Sequence, residues 1–458
     1  MSERYLTPEQ KISNVESIVY NYPEVAGLQA YEYLRSGANE QKTDFIAGKI
    51  QDLELEYPYL SLENIIKLKK PMLQGLVVLM PGEKSLKSES LYSAVEYRYS
   101  ELFMMDMARI MTSKEFSKTE RNEAQQWFNQ VNEGLYGKPK PEVFNSLAAK
   151  NIVEKMSINP DDTSEAKNLK EELSRLVGNI EKSDFIPFIP DTELVARIGS
   201  LIHERFDSLV SHINPDEEYD VQKMASAINI ALEKLGGSEL GWRVDIAKKS
   251  SALAVSAHKK VIEVGESRPN IQGIDLKGKI IHELGVHAGR SISANKAGWL
   301  SAAYGQEGYL DFEESLATAL EDAYKGEFGN HGVDYQLVAG LAYGYDNHEP
   351  RDFRDTYEVM WRINALGKIK DGEVSEKGLS SAKSKAFTSC LRLFRGTTGL
   401  QKGVIYLKDL AYFNGQESVW NVLKEVHTQS DFDKLFAGKL DNSKPSQDLI
   451  ANYILSTR

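Results

Sequence analysis

The hydrophobic period of the chain changes between residues 236 and 290, and that change restricts the fold more than any other feature. Before it, apolar residues recur at helical spacing. Leu194, Ile198, Leu201, Ile202, Phe206 and Leu209 mark one face of a helix. A second helix is expected over 221–235, closed by Gly236-Gly237. GWRVDIA (241–247) and LAVSAHKKVIEVG (253–265) then read as short β segments around a turn-like KKSS. Ile274, Leu276, Ile280, Ile281 and Leu284 return to the helical rhythm, which places a helix around 274–290; another is expected around 311–324. The result is an α+β protein, mainly helical with a small mixed sheet.

At 458 residues the chain exceeds one ordinary domain of about 100–200 residues. Residues 1–85 read as a helical N-terminal region. Pro8-Glu9-Gln10 opens a helix, and EVAGLQAYEYLRSG and EQKTDFIAGKIQDLELEY continue in helical mixture. A break is expected at MPGEKSLKSES, from Met80. Residues 86–190 form a second helical part, with helices through 88–132 stopped by Gly137-Lys138-Pro139 and a loop at 157–166. DFIPFIPDT (184–192) reads as a rigid proline connector to the third part, 191–458. Within that part, 386–415 reads as further strands and turns.

Composition narrows the function. Lys and Arg number 55 against 67 Asp and Glu, a net charge of −12. Nucleic-acid binding needs a basic surface to displace counterions, so it is not expected. The longest apolar run near the N-terminus is Leu76 to Met80, and nothing approaches the roughly 20 apolar residues of a membrane span. The opening MSERYLTPEQ lacks the layout of a secretory signal, so a cytoplasmic location is expected. Cys390 is the single cysteine, which excludes an intrachain disulfide and a cysteine-based zinc cluster.

The chemistry is concentrated in His282-Glu283-Leu284-Gly285-Val286-His287 and, downstream, in Glu313-Glu314-Ser315-Leu316-Ala317. Two histidines four apart on a helix bind one zinc in the familiar H-E-x-x-H arrangement. Here they are five apart, which on an ideal α-helix separates them by about 140°. A widened π turn restores a shared face, and Gly285, without a Cβ, is the easiest place for it. Glu283 then stands beside the metal to accept a proton from water. A third ligand is required, and Glu313 and Glu314 are both candidates. His348-Glu349 is followed by Pro350 and reads as a loop. His203, His212, His258, His331 and His427 read as surface or satisfied core residues.

HELGVH with EESLA resembles the tyrosine carboxypeptidase-like family of zinc peptidases, whose members carry H-E-x-x-x-H and a downstream E-E-G-L-A or Q-E-G-L-P. LYGKP (135–139), GWRVDI (241–246) and LFRGTTGLQKGVIYLKDLAYFNG (393–415) are also similar, the last to the family's R-G and K-D block. The resemblance covers roughly 90–458 and leaves the first 85 residues outside. It implies a gluzincin-like zinc peptidase core with His282, His287 and Glu314 as zinc ligands and Glu283 as catalytic acid/base. Ser315 stands where the family has glycine.

The activity implied is zinc-dependent hydrolysis at a peptide or protein C-terminus. The strand around 253–264 is expected to bind substrate backbone by β-augmentation. Arg290 and Arg395 are candidates for the terminal carboxylate, with Arg392 and Lys408 behind them. An endopeptidase or aminopeptidase on the same scaffold, and a zinc-bound interaction module without catalysis, are the alternatives; the presence of Glu283 speaks against the last.

Overall fold

The computed structural model describes residues 7–457 except 21–24, 26, 27, 29, 35, 80–84, 249, 330 and 371. The start of the expected break at Met80 and Lys249 of the expected turn lie outside the described residues, as do Glu24, Ala26, Gly27, Gln29 and Arg35 of EVAGLQAYEYLRSG. Within that last stretch, Ala30–Tyr33 is helical. The chain is mostly helical with small sheets, as an α+β reading requires. No helix among the described residues is long and apolar enough to cross a membrane.

Three strands form the larger sheet. Val261–Gly265 is central, parallel to Arg243–Ala247 and antiparallel to Leu253–Ser256, with Ile262 opposite both Val244 and Val255. Leu253–Ser256 is therefore an edge strand, and among the described residues its outer backbone groups have no strand partner. After the sheet, Gly273–Ile280, Ile281–Ala288 and Gly289–Lys296 run on as one helix, the histidine helix. Tyr309–Lys325 follows as the glutamate helix.

Two large cores lie on either side of this glutamate helix, and neither follows chain order. The first joins Val15, Leu34 and Phe45 to Phe128, Phe144, Phe387 and Phe394. The N-terminal region thus shares one interior with residues beyond 380, across the expected boundary at 85. The second core gathers Ile198, Phe206, Ile228, Ile262, Leu284 and Trp420. The glutamate helix enters with Tyr309 and Leu310 in the first core and continues with Phe312, Leu316 and Leu320 in the second. Glu313 and Glu314 follow directly on the changeover, which falls between Leu310 and Phe312.

Two expectations are corrected. Residues 47–57 are not helical: Leu53 and Leu55 are buried while Glu54 and Glu56 are exposed, the alternation of an extended stretch. Residues 386–415 contain no strand. Ala382, Ala386, Phe387, Cys390 and Leu393 recur at helical spacing on Glu376–Leu393, capped by Ser375. Turns follow, with Gly396, Gly399 and Gly403 at positive φ, and then the helix Ala411–Glu425.

Ala411–Glu425 crosses the glutamate helix at Gly415. A Cβ there would lie 2.0 Å from the Asp311 carbonyl oxygen and 2.6 Å from Ser315 Oγ. Ser315 Oγ in turn donates to the Ala411 carbonyl at 3.2 Å. The close contact needs small residues on both helices, and Ser315 and Gly415 supply them. Gly415→Ala is expected to cost about 2 kcal/mol by overpacking, read as an earlier urea midpoint. A midpoint equal to that of the unsubstituted protein would contradict so tight a crossing.

Candidate metal centre

The histidine helix widens at its middle. Ile281–Ala288 is π-helical, and the Gly289 N–H donates to the Leu284 carbonyl five residues earlier. Two glycines make room for this. A Cβ on Gly285 would lie 2.9 Å from the Phe206 ring, and one on Gly289 would lie 2.9 Å from the Leu284 oxygen. Gly285 is therefore small because Phe206 packs on it. Ile281, Leu284 and Val286 are fully buried around the segment and hold it in place.

The widening brings His282 and His287 together, with ring centroids 5.1 Å apart. The ligand atoms of His282, His287 and Glu314 all lie within 4.8 Å of one another, and His287 Nε2 is 3.9 Å from Glu314 Oε2. Zinc bonds of about 2.1 Å would set tetrahedral donors roughly 3.4 Å apart, so small side-chain movements fit this trio to the ion. Two imidazoles and one carboxylate are also the donor set of a catalytic zinc with an open fourth position.

Each histidine turns its other nitrogen to a buried carboxylate. His287 Nδ1 is 2.9 Å from Glu313 Oε1. His282 Nδ1 is 3.0 Å from Glu321 Oε2, a close electrostatic contact bent away from hydrogen-bond alignment. Nε2 of both rings is thereby left for a metal, the usual pattern of carboxylate-oriented imidazole ligands.

These carboxylates are themselves held. Glu313 accepts from Arg290 Nη1 at 3.0 Å and from Lys439 Nζ. Burial alone would raise its carboxyl; Lys439, His287 and Arg290 outweigh burial and hold it down at about 2. Glu321 accepts from Lys279 at 2.8 Å. Burial opposes its charge too, and His282 and Lys279 bring it to about 2. Glu313 is thus committed to His287, Arg290 and Lys439, and Glu314 is the glutamate that completes the trio. Glu283 is buried beside His282, and burial pushes its carboxyl up to about 7 against the pull of that histidine.

A cavity of about 300 Å³ opens over these groups. Ala252 to Val255 of the edge-strand segment line it, and so do Arg395, Lys408 and Tyr412. His282, Arg392 and Tyr412 also line an adjoining cavity of about 770 Å³, which the proline connector reaches through Ile186, Pro187 and Ile189. Arg392 is engaged by Asp409, with two contacts of 2.7 Å. Arg395 and Lys408 lie 5.8 and 4.5 Å from the Tyr31 ring centroid.

Arg290 is a correction. It is fully buried, and its terminal nitrogens bond Glu313, the Leu440 carbonyl at 2.5 Å and Asn442 Oδ1 at 3.1 Å. One turn past His287 lies behind the two imidazoles, so Arg290 positions Glu313 and does not line the cavity. The remaining histidines are engaged elsewhere, His331 with Asp322 at 2.7 Å and His203 with Asp207 at 2.9 Å among them. Among the described residues no second group of metal-ligating side chains forms. Glu321 escaped sequence reasoning, yet it had a signal: it lies seven residues after Glu314, two turns along the same helical face. Tyr31 and Lys439 had none, being brought in from remote parts of the chain.

The Glu313 cluster has a measurable signature. Its depressed carboxyl contributes stability that is complete above the ordinary glutamate value of about 4.3 and is lost as pH falls toward about 2. Glu313→Gln leaves Arg290 and Lys439 buried without a counter-charge, at an expected cost of about 3 kcal/mol near neutrality. The gap between variant and unsubstituted protein should narrow as pH falls below 4.3, roughly the unfolded-state value. A gap independent of pH would contradict the assignment.

A family model described as microtubule-associated tyrosine carboxypeptidase matches residues 374–451. No curated protein and no solved structure matches the chain. The matched stretch supplies Arg395, Lys408 and Tyr412 of the cavity lining, Gly415 of the helix crossing and Lys439 bonded to Glu313; His282, Glu283, His287 and Glu314 precede it. The resemblance read from the R-G and K-D block is thereby borne out over residues 374–451, which are similar to the tyrosine carboxypeptidase-like family.

Proposed function

We propose that the protein is a zinc-dependent carboxypeptidase with a gluzincin-like core, acting on the C-terminus of a peptide or protein. One observation carries the reading: His282, His287 and Glu314 converge within 4.8 Å, beside buried Glu283, in a cleft lined by the edge strand. The family match supports the carboxypeptidase part through its printed description. A tie to microtubules belongs to that description and is not carried over.

His282 and His287, through Nε2, and Glu314 would hold the ion, with Glu321 and Glu313 orienting the two imidazoles. When bound, zinc supplies Lewis acidity, which polarises a carbonyl and makes water easier to deprotonate. Glu283 takes the water proton and returns it to the leaving amine. A carboxyl raised to about 7 suits both halves of that transfer near neutral pH. The outer edge of Leu253–Ser256 pairs with the substrate backbone and aligns the scissile bond. Arg395 and Lys408, which line the same cavity, receive the terminal carboxylate.

The test compares peptides with free and amidated C-termini, with zinc removed and restored. Glu283→Gln should lower hydrolysis by about 10²–10⁴-fold while zinc remains at one per chain. A loss below about tenfold would remove Glu283 from the acid/base role; loss of the zinc as well would move it into the ligand set. His282→Ala should abolish stoichiometric zinc, and retention would sink the ligand assignment. Glu321→Gln should weaken zinc binding by about 10–100-fold if it orients His282; unchanged affinity would leave that contact incidental.

A further inference from the structure

The N-terminal region, outside the family match and outside the sequence resemblance, touches the candidate cleft directly. Ala30 and Leu34 are fully buried in the first core, so the short helix Ala30–Tyr33 between them is anchored at both ends. Tyr31 projects from it into the cavity that holds Glu283. Its ring meets Lys408 and Arg395. The next residue, Glu32, places Oε2 3.4 Å from Lys259 Nζ and 3.9 Å from His258 Nε2, just beyond the edge strand. Tyr57 adds a second clasp, its hydroxyl donating to the Thr397 carbonyl at 2.6 Å.

The edge strand shows what this crossing does. Ala254 and Val255 line the catalytic cavity and also a separate groove of about 380 Å³. Tyr31 lines both as well, and Glu32 and Tyr33 line the groove beyond. The space along the strand is therefore continuous in its strand wall and divided at Tyr31. A polypeptide paired to the strand would meet this crossing beside Arg395 and Lys408, where a chain end with a carboxylate fits and a continuing chain does not.

We propose that Ala30–Tyr33 is a built-in stop that restricts the cleft to chain termini, with Tyr31 as its positioning and specificity residue. This rests on the peptidase reading and adds what makes the cleft an exopeptidase site.

The experiment compares two peptides, one ending at the residue to be removed and one extended beyond it by four residues, on the full-length zinc-loaded protein. The unsubstituted protein should favour the shorter peptide in kcat/KM. Tyr31→Ala should reduce that preference by about tenfold or more, chiefly by admitting the extended peptide. Tyr31→Phe, which keeps the ring, should retain it. Glu32→Ala, which unties the segment from Lys259, should act in the same direction as Tyr31→Ala and serves as the test if the latter does not fold. An unchanged preference in folded variants, or equal cleavage of both peptides by the unsubstituted protein, overturns the stop. If no peptide is cleaved, the peptidase reading fails separately. The same preference is then read as a ratio of Kd values by fluorescence anisotropy: tighter binding of the shorter peptide that is lost in Tyr31→Ala supports the stop, and its absence overturns it.

Discussion

An α-helix turns about 100° per residue, so side chains five positions apart diverge by roughly 140°. Everything at the candidate centre depends on removing that divergence between His282 and His287. The π segment Ile281–Ala288 does so, and such a segment does not persist by local preference. It persists because Ile281, Leu284 and Val286 are fully buried on it, Phe206 fills the space left by Gly285, and Gly289 lets the chain close back on the Leu284 carbonyl. The second core thus stabilises a helical distortion whose result is chemical: two imidazoles facing one point.

Charge at this point is arranged in layers. Glu314 stands at Nε2 of His287 and Glu283 beside His282; Glu313 and Glu321 stand behind the rings, at their Nδ1 atoms. Four carboxylates so close would repel one another if left alone. Arg290 and Lys439 neutralise Glu313, and Lys279 neutralises Glu321, so the rear pair stays ionised while Glu283 is pushed toward neutrality. The glutamate helix can serve both layers because it passes from one core into the other directly before Glu313 and Glu314, with Gly415 setting how closely its neighbour approaches.

Periodicity made much of this legible. The helices at 192–210 and 221–234, the three short strands and the histidine helix follow from apolar spacing, and the five-residue histidine interval called for a widened turn. Spacing could not separate Glu313 from Glu314, because adjacent residues on a helix differ by only about 100° and the choice is made by Arg290 and Lys439 from other elements. It misassigned Arg290 for the same reason: a position one turn past His287 says nothing about which side is solvent. The segment 386–415 misled because turn glycines interrupt the apolar pattern of a helix end. The role of Tyr31 is a tertiary fact, made by a core that joins the two ends of the chain.

The most direct measurement is anomalous diffraction at the zinc edge from crystals of the purified protein. The account predicts one peak per chain, bonded to Nε2 of His282, Nε2 of His287 and a Glu314 oxygen, with Ile281–Ala288 still π-helical and Glu283 beside the ion without a bond to it. No peak at that point, or a peak there over a regular α-helical segment, would contradict it.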